Sequence, residues 1–430
     1  MKKWLVRGGL VVLCGVIVLV VLHVRGRMAL SQKIAELKAQ GLPTSFAELE
    51  AQSRLPEGTP NAADIYMKAF AAYRPLADAE KQKLLPVMGE RPEPEASEPY
   101  PQEQMDAARE FVEQNQEMFR LLHEAGQVET CYYPMDYSMD SPLSLALLED
   151  FKTTCRSLQT AVIYYLQTNQ SSKACQAIID QLRMGQSLNN LFVVIHLTKL
   201  GAISLGIIDI ERTANTVTLS ESDLLVFQNI LQGIDNTIKS GSPMKGELCY
   251  CMETCNKLFA SLSIGKRLIL GTTGVYERNM VKLLDSYQKL IEVDKLPLQD
   301  QLHAISKVFK AIEKEPDYIL LPRIILSGLD NFYLYHLGVR ANMGCAITAL
   351  AIERYRMKEG KLPETVEALV PEYLPAVYMD PFDGQPLRYE REGAGYMVYT
   401  IGADGVDDGG RKEDPDNPKE TFDWVFRVER

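Results

Sequence analysis

The feature that most constrains this chain is a nearly unbroken apolar run close to its N-terminus, at residues 10–22. Counted over residues 4–24, a helix spans roughly 30 Å, which is about the thickness of the hydrocarbon core of a bilayer. We therefore expect a transmembrane signal-anchor at residues 1–27, in the cytoplasmic (inner) membrane, with a single pass and the bulk of the chain extracytoplasmic. Basic residues flank the run at both ends: Lys2, Lys3, Arg7, Arg25 and Arg27.

A cleaved signal peptide is the main alternative for this run, because a short basic region followed by apolar residues has the same pattern. Such a peptide ends at a small-residue cleavage site of the Ala-x-Ala kind. The chain instead reads Arg27-Met28-Ala29-Leu30-Ser31 at this point. The sequence therefore favours a retained anchor.

Length and charge bound what the remaining chain does. A chain of 430 residues is long enough for two or more domains with a well-buried core. Its net charge of -11 argues against a nucleic-acid surface, which needs clustered Lys and Arg, and against broad adhesion to anionic lipid. The partners we expect are the membrane, reached through the N-terminal helix, and another protein of the cell envelope.

The spacing of apolar residues predicts a mainly α fold. From residue 102 to residue 360 the pattern is helical almost throughout, with short polar connections, as in a bundle or a helical-repeat-like arrangement. A second apolar stretch, residues 192–210, is interrupted by His196, Lys199 and Asp209. We expect it to be a buried helix and not a second membrane span.

Changes in composition divide the chain into four parts. After the anchor at residues 1–27, residues 28–101 read as a helical stalk that ends in a linker rich in Pro and Glu. Residues 102–337 form the predicted helical domain. Residues 338–430 are predicted to be a helix followed by a small β module.

The β module is predicted from turn and strand signals. Asp383-Gly384 is a strong tight-turn signal, and residues 387–390 and 396–401 read as two strands. Residues 422–428 alternate apolar and polar side chains, which is typical of a half-buried strand. We therefore expect a C-terminal antiparallel sheet of about three strands.

The same segment carries motifs in a defined order. They are Gly360-Lys361-Leu362-Pro363, Asp380-Pro381-Phe382-Asp383-Gly384-Gln385-Pro386-Leu387-Arg388-Tyr389, Gly402-Ala403-Asp404-Gly405 and Phe422-Asp423-Trp424. In their order and spacing, residues 340–430 resemble the C-terminal module of the type II secretion major pseudopilin (G class). The leader and the early glutamate of that family are not matched here, so the resemblance does not imply its processing or pilus assembly. The whole layout resembles that of membrane-anchored bacterial proteins.

The resemblance also implies a calcium site, because the loop before the last strand binds calcium in that family. Calcium takes about six to eight oxygen ligands from carboxylates, carbonyls and water. Glycines in this loop permit the sharp turns that point carbonyl groups inward. The alternative is an acidic loop in solvent with ordinary turn chemistry. The ligands carried over by the resemblance are Asp404, Asp407, Asp408, Asp414, Asp416 and Asp423.

Cysteine and histidine offer weaker signals. Of eight cysteines, Cys14 lies in the apolar run, and seven is an odd number, so at least one thiol outside the run stays free or pairs between chains. Cys249, Cys251 and Cys255 form one cluster without a nearby His. Buried thiols with one disulfide explain this cluster better than a metal site does. His196 and His336 lie in apolar helices and are predicted to be core residues.

No catalytic constellation stands out. The sequence contains no G-x-S-x-G, Walker or dinucleotide motif, and Gly271-Thr272-Thr273-Gly274 lacks the lysine that a phosphate site needs. The leading hypothesis is a non-enzymatic structural or protein-interaction role in the cell envelope. One alternative is an envelope hydrolase whose site is assembled from residues distant in sequence. Another, based on the C-terminal motifs alone, is a component associated with a secretion apparatus.

Overall fold

The computed structural model describes residues 2–92, 94, 99–134, 142–189, 191–411 and 423–430. Its architecture is mainly α, as the sequence predicts. The helices are α1 (Lys2–Ala39), α2 (Phe46–Ser53), α3 (Ala62–Ala71), α4 (Ala79–Leu84), α5 (Gln102–Gln114), α6 (Gln116–Ala125), α7 (Pro142–Gln167), α8 (Ser171–Ser187), α9 (Val193–Thr216), α10 (Glu221–Thr237), α11 (Gly241–Ser261), α12 (Ile264–Thr272), α13 (Val275–Glu292), α14 (Leu298–Glu313), α15 (Leu321–Ile325) and α16 (Leu329–Glu359).

Several helices begin at side chains that cap their free backbone amides. Ser45 accepts a hydrogen bond from the backbone N–H of Glu48 at the start of α2. Asn61 caps α3 in the same way, because its side chain accepts a hydrogen bond from the backbone N–H of Ala63. Ser220 and Asp223 form a reciprocal capping box at α10. Each such cap stabilises its helix by about 1 kcal/mol, which is why helix starts are readable in the sequence.

Buried apolar side chains of the described residues form two large clusters that meet along α16. The first cluster contains side chains of α3, of α5 to α10, of the C-terminal half of α16 and of the sheet. The second contains side chains of α1, α11, α13, α14 and the N-terminal part of α16. Along α16, the side chains pass from the second cluster to the first between Leu337, which belongs to the second, and Val339, which belongs to the first. One helix therefore belongs to both hydrophobic cores.

This packing differs from the organisation that composition suggests. The boundary predicted between residues 337 and 338 falls inside α16, a single continuous helix. Described residues of the predicted stalk at residues 28–101 also belong to the cores, because Leu37 is buried in the second cluster and Tyr66 in the first. The predicted linker lies partly outside the described residues. Composition records where the chain is polar, whereas a domain is defined by which helices pack together.

The predicted antiparallel sheet is present. Its central strand is fully buried, and α16 covers one of its faces. There the Tyr396 hydroxyl donates a hydrogen bond of 2.9 Å to the Ala349 carbonyl. Gly338 lets helix and sheet approach closely, since a Cβ at this position would lie 3.0 Å from the Trp424 ring. The strands, in spatial order, are β1 (Arg388–Glu392), β2 (Gly395–Thr400) and β3 (Trp424–Val428).

Two helices among the described residues are long and apolar enough to cross a membrane, Leu13–Ala39 within α1 and the whole of α9. In α9, 56% of the apolar window is buried, between α7, α8 and α16. In α1 only 6% of the window is buried. The chain therefore has an N-terminal apolar helix compatible with membrane association, and α9 is a core helix, as its interrupting polar residues predict.

Candidate functional site

The described part of the acidic loop that follows β2, residues 401–411, folds back over the outer face of the sheet. Met397, Tyr399 and Val425 form a small buried cluster on this face. Gly410, with φ of 70°, closes the loop against this cluster. A Cβ there would lie 2.5 Å from the Met397 sulfur, so only glycine fits without displacing a neighbour. The described part of the loop, residues 401–411, is thus attached to the sheet at Gly410.

Asp380 and Arg388 tie the loop to the turn that precedes β1. Asp380 is completely buried, and its Oδ2 accepts hydrogen bonds from Arg388 Nη1 at 2.8 Å and from the backbone N–H of Ile401 at 3.1 Å. Arg388 also pairs with Asp383, and its Nε lies 3.7 Å from Asp407 Oδ2. One guanidinium therefore connects three carboxylates from the turn and the loop.

The charges in this group act on one another. Partial burial would raise the pKa of Asp383, but the hydrogen bonds from Arg388 and from the Gln385 backbone N–H, together with the Arg388 charge, outweigh it and hold that pKa below its ordinary value. Asp383 therefore stays ionised at neutral pH and keeps the guanidinium in place. The arrangement is a structural clasp between the turn and the start of the loop.

Asp423, just before β3, organises the other end of the loop. Only 4% of the residue is exposed, and its Oδ2 accepts hydrogen bonds from the backbone N–H groups of Asp408 at 3.1 Å and Gly410 at 2.8 Å. Its Oδ1 is buried and has no hydrogen-bond partner among the described residues. Burial raises the pKa of this carboxyl group, and the nearby charges of Asp407 and Asp408 act in the same direction.

The other predicted calcium ligands are placed less favourably. Asp404 and Asp407 each accept a hydrogen bond of 3.0 Å from the backbone N–H two residues later, in local turns. Asp408 is exposed. Asp414 and Asp416 lie outside the described residues. Within the described residues, no three His, Cys, Asp or Glu side chains form a group that could hold a metal ion.

These observations fit a calcium ion at one point only. The buried Oδ1 of Asp423 is an unpartnered anionic oxygen, and such an atom is costly to bury unless a cation or a donor satisfies it. Of the other described aspartates of the loop, Asp404 and Asp407 accept hydrogen bonds from backbone amides, and Asp408 is exposed. If calcium binds here, Asp423 is the residue of this loop whose position best suits a ligand.

A second group of titratable residues lies where α9 crosses α16. His196 Nε2 and His336 Nδ1 are 2.9 Å apart, and both rings are completely buried beside Phe332. Burial lowers the pKa of His196 to about 3 and that of His336 well below its ordinary value. Nearby, the Lys199 ammonium donates to the carbonyl groups of Gln186 and Leu188, and burial lowers its pKa to about 8.

This pair is closed to solvent, so no substrate reaches it without a local opening of the helices. Each ring also keeps one buried nitrogen, His196 Nδ1 or His336 Nε2, without a partner. The sequence predicts core histidines here, and the two rings do lie in the hydrophobic interior. Their pairing was not predicted, because nothing in the local pattern links residues 140 positions apart.

The cysteine cluster on α11 is a set of buried thiols. Cys249 Sγ faces the backbone carbonyl groups of Pro43 and Ser45, and Cys251 Sγ lies 3.4 Å from the Tyr287 hydroxyl. Burial raises the pKa of Cys249 and Cys251 to about 12, so both are protonated at neutral pH. All eight cysteines are among the described residues, and all are free thiols, so the predicted disulfide is absent there.

Comparison of this chain with protein-family models, with curated proteins and with solved structures gave no match.

Proposed function

We propose that this chain is a membrane-anchored cell-envelope protein with a structural or protein-interaction role. In this proposal α1 crosses the cytoplasmic (inner) membrane once, and the bulk of the chain is extracytoplasmic. The observation that supports it is the continuity of α1, whose first part is an exposed apolar helix and whose second part belongs to a hydrophobic core.

The first part of α1 has the surface of a lipid-facing helix. Apart from the partly buried Leu22, its large apolar side chains within residues 13–24 are between 39% and 56% exposed. They surround the helix and are not confined to one stripe, which is typical of a membrane span and unusual for a helix in water. Burying them in lipid would remove the largest apolar surface of the N-terminal region from water.

The second part of α1 is a structural element of the protein. Leu30, Ile34 and Leu37 follow helical spacing and pack into the second cluster beside α13. Lys33, only 8% exposed, pairs with Asp285 of α13 at 2.5 Å. Such packing holds the membrane span at a fixed angle to the helical body, as a structural role requires.

Contacts at the end of the span support an anchor that is retained. The His23 ring donates a hydrogen bond of 2.7 Å from Nδ1 to the Gly271 carbonyl. Gly26 faces Glu277 so closely that an added Cβ would lie 3.3 Å from the Glu277 Cβ. Cleavage of a signal peptide near residue 27 would remove both contacts and uncover the start of α13.

Fractionation of cells that express the full chain tests this proposal. We expect the protein to remain in the membrane after alkaline carbonate extraction, to keep its N-terminal residues by intact mass, and to be degraded by protease added to spheroplasts. A soluble product that begins near residue 28 contradicts the anchor. Protection from the protease contradicts the extracytoplasmic placement.

The hydrolase alternative has one supporting observation, the buried cluster of His196, His336 and Lys199 with lowered pKa values. Such perturbed groups occur at catalytic sites as well as in cores. Turnover of an ester, peptide or glycan library that His336→Gln abolishes, while the fold remains intact, would support an enzyme. The closed position of the pair favours the structural role.

The resemblance of residues 340–430 to a pseudopilin module supports two further proposals. One is an association with a secretion apparatus, which co-purification of secretion proteins with the full chain would test. The other is a calcium ion at the acidic loop, with Asp423 as a ligand. For calcium, the unpartnered Asp423 Oδ1 is the supporting feature, and thermal stability is the readout.

A further inference from the structure

Helix α12 exposes an apolar face that no described element covers. None of its residues is buried, and Ile264, Leu268 and Ile269 are 71%, 59% and 65% exposed. Ile264 and Leu268, four residues apart, lie on the same face of the helix, and Ile269 lies about 100° farther round its surface. Leu258, in the last turn of the preceding helix, is also 58% exposed. Burying each such side chain is worth roughly 1.5–3 kcal/mol, so an exposed group of four is unfavourable in water.

The end of α12 is fastened to the end of the membrane span. The His23 side chain bonds the Gly271 carbonyl, in the last turn of α12. Gly274, with φ of 65°, joins α12 to α13 and lies against α1. A Cβ on Gly274 would come within 2.8 Å of the Leu22 carbonyl oxygen, so the chain approaches α1 here as closely as glycine allows.

The contacts between α13 and α1 fix the level of α12. The start of α13 lies beside Leu22, whereas Asp285 pairs with Lys33 farther along, and Gln288 donates to Glu36 at 3.2 Å. The two helices therefore run in the same direction, away from the exposed apolar run at residues 13–24. Helix α12 directly precedes the N-terminal end of α13, so it is level with the point where α1 leaves the bilayer.

The charges near α12 suit a lipid surface. Lys266 and Arg267 lie on α12, and Arg27 on α1 faces the same open cavity as Arg267. This cavity, of ≈ 660 Å³, lies between α1, α11, α12 and α13. Its lining includes Arg27, Arg267 and apolar side chains, together with Glu277. Positive charges beside exposed aliphatic side chains are typical of helices that lie in the headgroup region. The local charge is opposite in sign to the net charge of the chain, -11.

We propose that α12 is an interfacial helix that lies in the surface of the bilayer that α1 spans. Ile264, Leu268 and Ile269 enter the acyl-chain region, and Lys266 and Arg267 remain at the lipid phosphates. The inference rests on the proposed role of α1 as the anchor. It adds a second membrane contact, which fixes the orientation of the helical body relative to the membrane.

Tryptophan quenching in the full chain tests this inference. The chain contains two tryptophans, Trp4 in the N-terminal run and Trp424 in the sheet. Full-length protein is reconstituted in phosphatidylcholine and phosphatidylglycerol vesicles, with or without bromine on the acyl chains. The Trp4→Phe variant leaves Trp424 as an internal reference. The difference in quenching between this variant and the unaltered chain is the quenching of Trp4, which reports whether the span is inserted.

In the Trp4→Phe background, Leu268→Trp is expected to be quenched by brominated lipid. Ile264→Trp provides an independent second position in case one variant folds poorly. Met357→Trp is the matched control, because Met357 is 51% exposed near the C-terminal end of α16, where the neighbouring Arg356 donates a hydrogen bond to the Arg430 carbonyl beyond β3. We expect no quenching at this position beyond that of the Trp424 reference.

The outcomes separate the two proposals. Quenching at positions 264 and 268, together with none at 357, supports the interfacial helix. Quenching of Trp4 without quenching at 264 and 268 overturns it and leaves the anchor intact, with a partner protein or a second copy covering α12. Absence of quenching at Trp4 overturns the anchor, and the interfacial helix with it.

Discussion

The imidazole rings of His196 and His336 are hydrogen-bonded to each other at 2.9 Å in the interior, where α9 crosses α16. Neither ring is accessible to solvent, and each has a second nitrogen without a partner. The charged groups that act on them, among them Lys199 and Arg340, are positive. A protonated imidazole in this position would lack both water and a counter-ion, so the pair is neutral in the folded protein.

The pair predicts a loss of stability in mild acid. The folded pKa of His196 is about 3, below the value of roughly 6.5 expected for the unfolded chain, and that of His336 is lowered too. The unfolded state therefore binds more protons below pH 6.5, and the stabilisation present above this pH is lost as pH falls. We expect each histidine to reduce the free energy of unfolding by about 1.4 kcal/mol per pH unit in this range.

Urea unfolding at pH 7 and pH 5, in detergent, measures this effect by difference. The double variant His196→Phe/His336→Leu removes both titrating groups, so its stability should change less between the two pH values than that of the unaltered chain. His303→Gln, at an exposed histidine of α14, is the control and should keep the original loss of stability between the two pH values. Equal pH dependence in the double variant and the unaltered chain contradicts the prediction.

Asp380→Ala is expected to lower the free energy of unfolding by about 3 kcal/mol. The change leaves Arg388 with one fewer carboxylate and removes the acceptor for the buried N–H of Ile401. Asp383→Ala removes a more exposed partner of the same arginine, and we expect a loss of about 1 kcal/mol or less. Urea titrations of both variants give the comparison, and a larger loss for Asp383→Ala would exclude Asp380 as the centre of the clasp.

Leu37→Ala tests whether α1 belongs to the second core. Leu37 is completely buried, so its truncation should cost about 2–5 kcal/mol of the free energy of unfolding. Val18→Ala, in the exposed apolar run, is the control and should leave unfolding of the helical body unchanged. Thermal unfolding followed by circular dichroism is a sufficient measurement. If the two variants melt together, the extension of α1 is a tether and not a core element.

Calcium is expected to raise the melting temperature, and a chelator to lower it, because an ion that binds only the folded loop stabilises it. Asp404→Ala and Asp407→Ala should each reduce this shift. Differential scanning fluorimetry with calcium, magnesium or chelator provides the measurement. If calcium leaves the melting curve unchanged in the unaltered chain and in both variants, the loop has no calcium site.

Asp423→Asn gives a sharper form of the same test. Burial raises the folded pKa of Asp423, so its charge destabilises the folded state at neutral pH, and the neutral amide should cost little without calcium. The variant should nevertheless lose the calcium response, since Oδ1 is the unpartnered oxygen. A large loss of stability without calcium, comparable with that of Asp380→Ala, would show that Asp423 acts only through its backbone contacts.

The buried thiols predict a chemical result. Because burial raises the pKa of Cys249 and Cys251 to about 12, iodoacetamide at pH 7.5 should leave both unmodified in the folded protein. In unreduced, denatured protein every cysteine should react, as all eight are free. Intact mass before and after reduction measures this, and a disulfide seen only without reductant would contradict the free thiols.

Much of the local structure follows from the sequence. The capping residues Ser45 and Asn61 mark true helix starts, and the alternating residues 422–428 include strand β3. The candidate site follows less well. The six aspartates of the acidic loop are visible in the sequence. The backbone amides that Asp404, Asp407 and Asp423 bind, and the bridging position of Arg388, depend on how the described part of the loop folds over the sheet. Gly271 and Gly274 have no readable chemical motif, yet they lie where α12 meets α1.

The sequence by itself determined the helical class, the small sheet and the apolar run, because each depends on a local period or on the length of one segment. Only the tertiary structure decided that α1 continues into a hydrophobic core, that His196 meets His336, and that α12 lies at the end of the span. These are contacts between segments far apart along the chain. They are set by which buried faces pack together, and this information is distributed over the whole sequence.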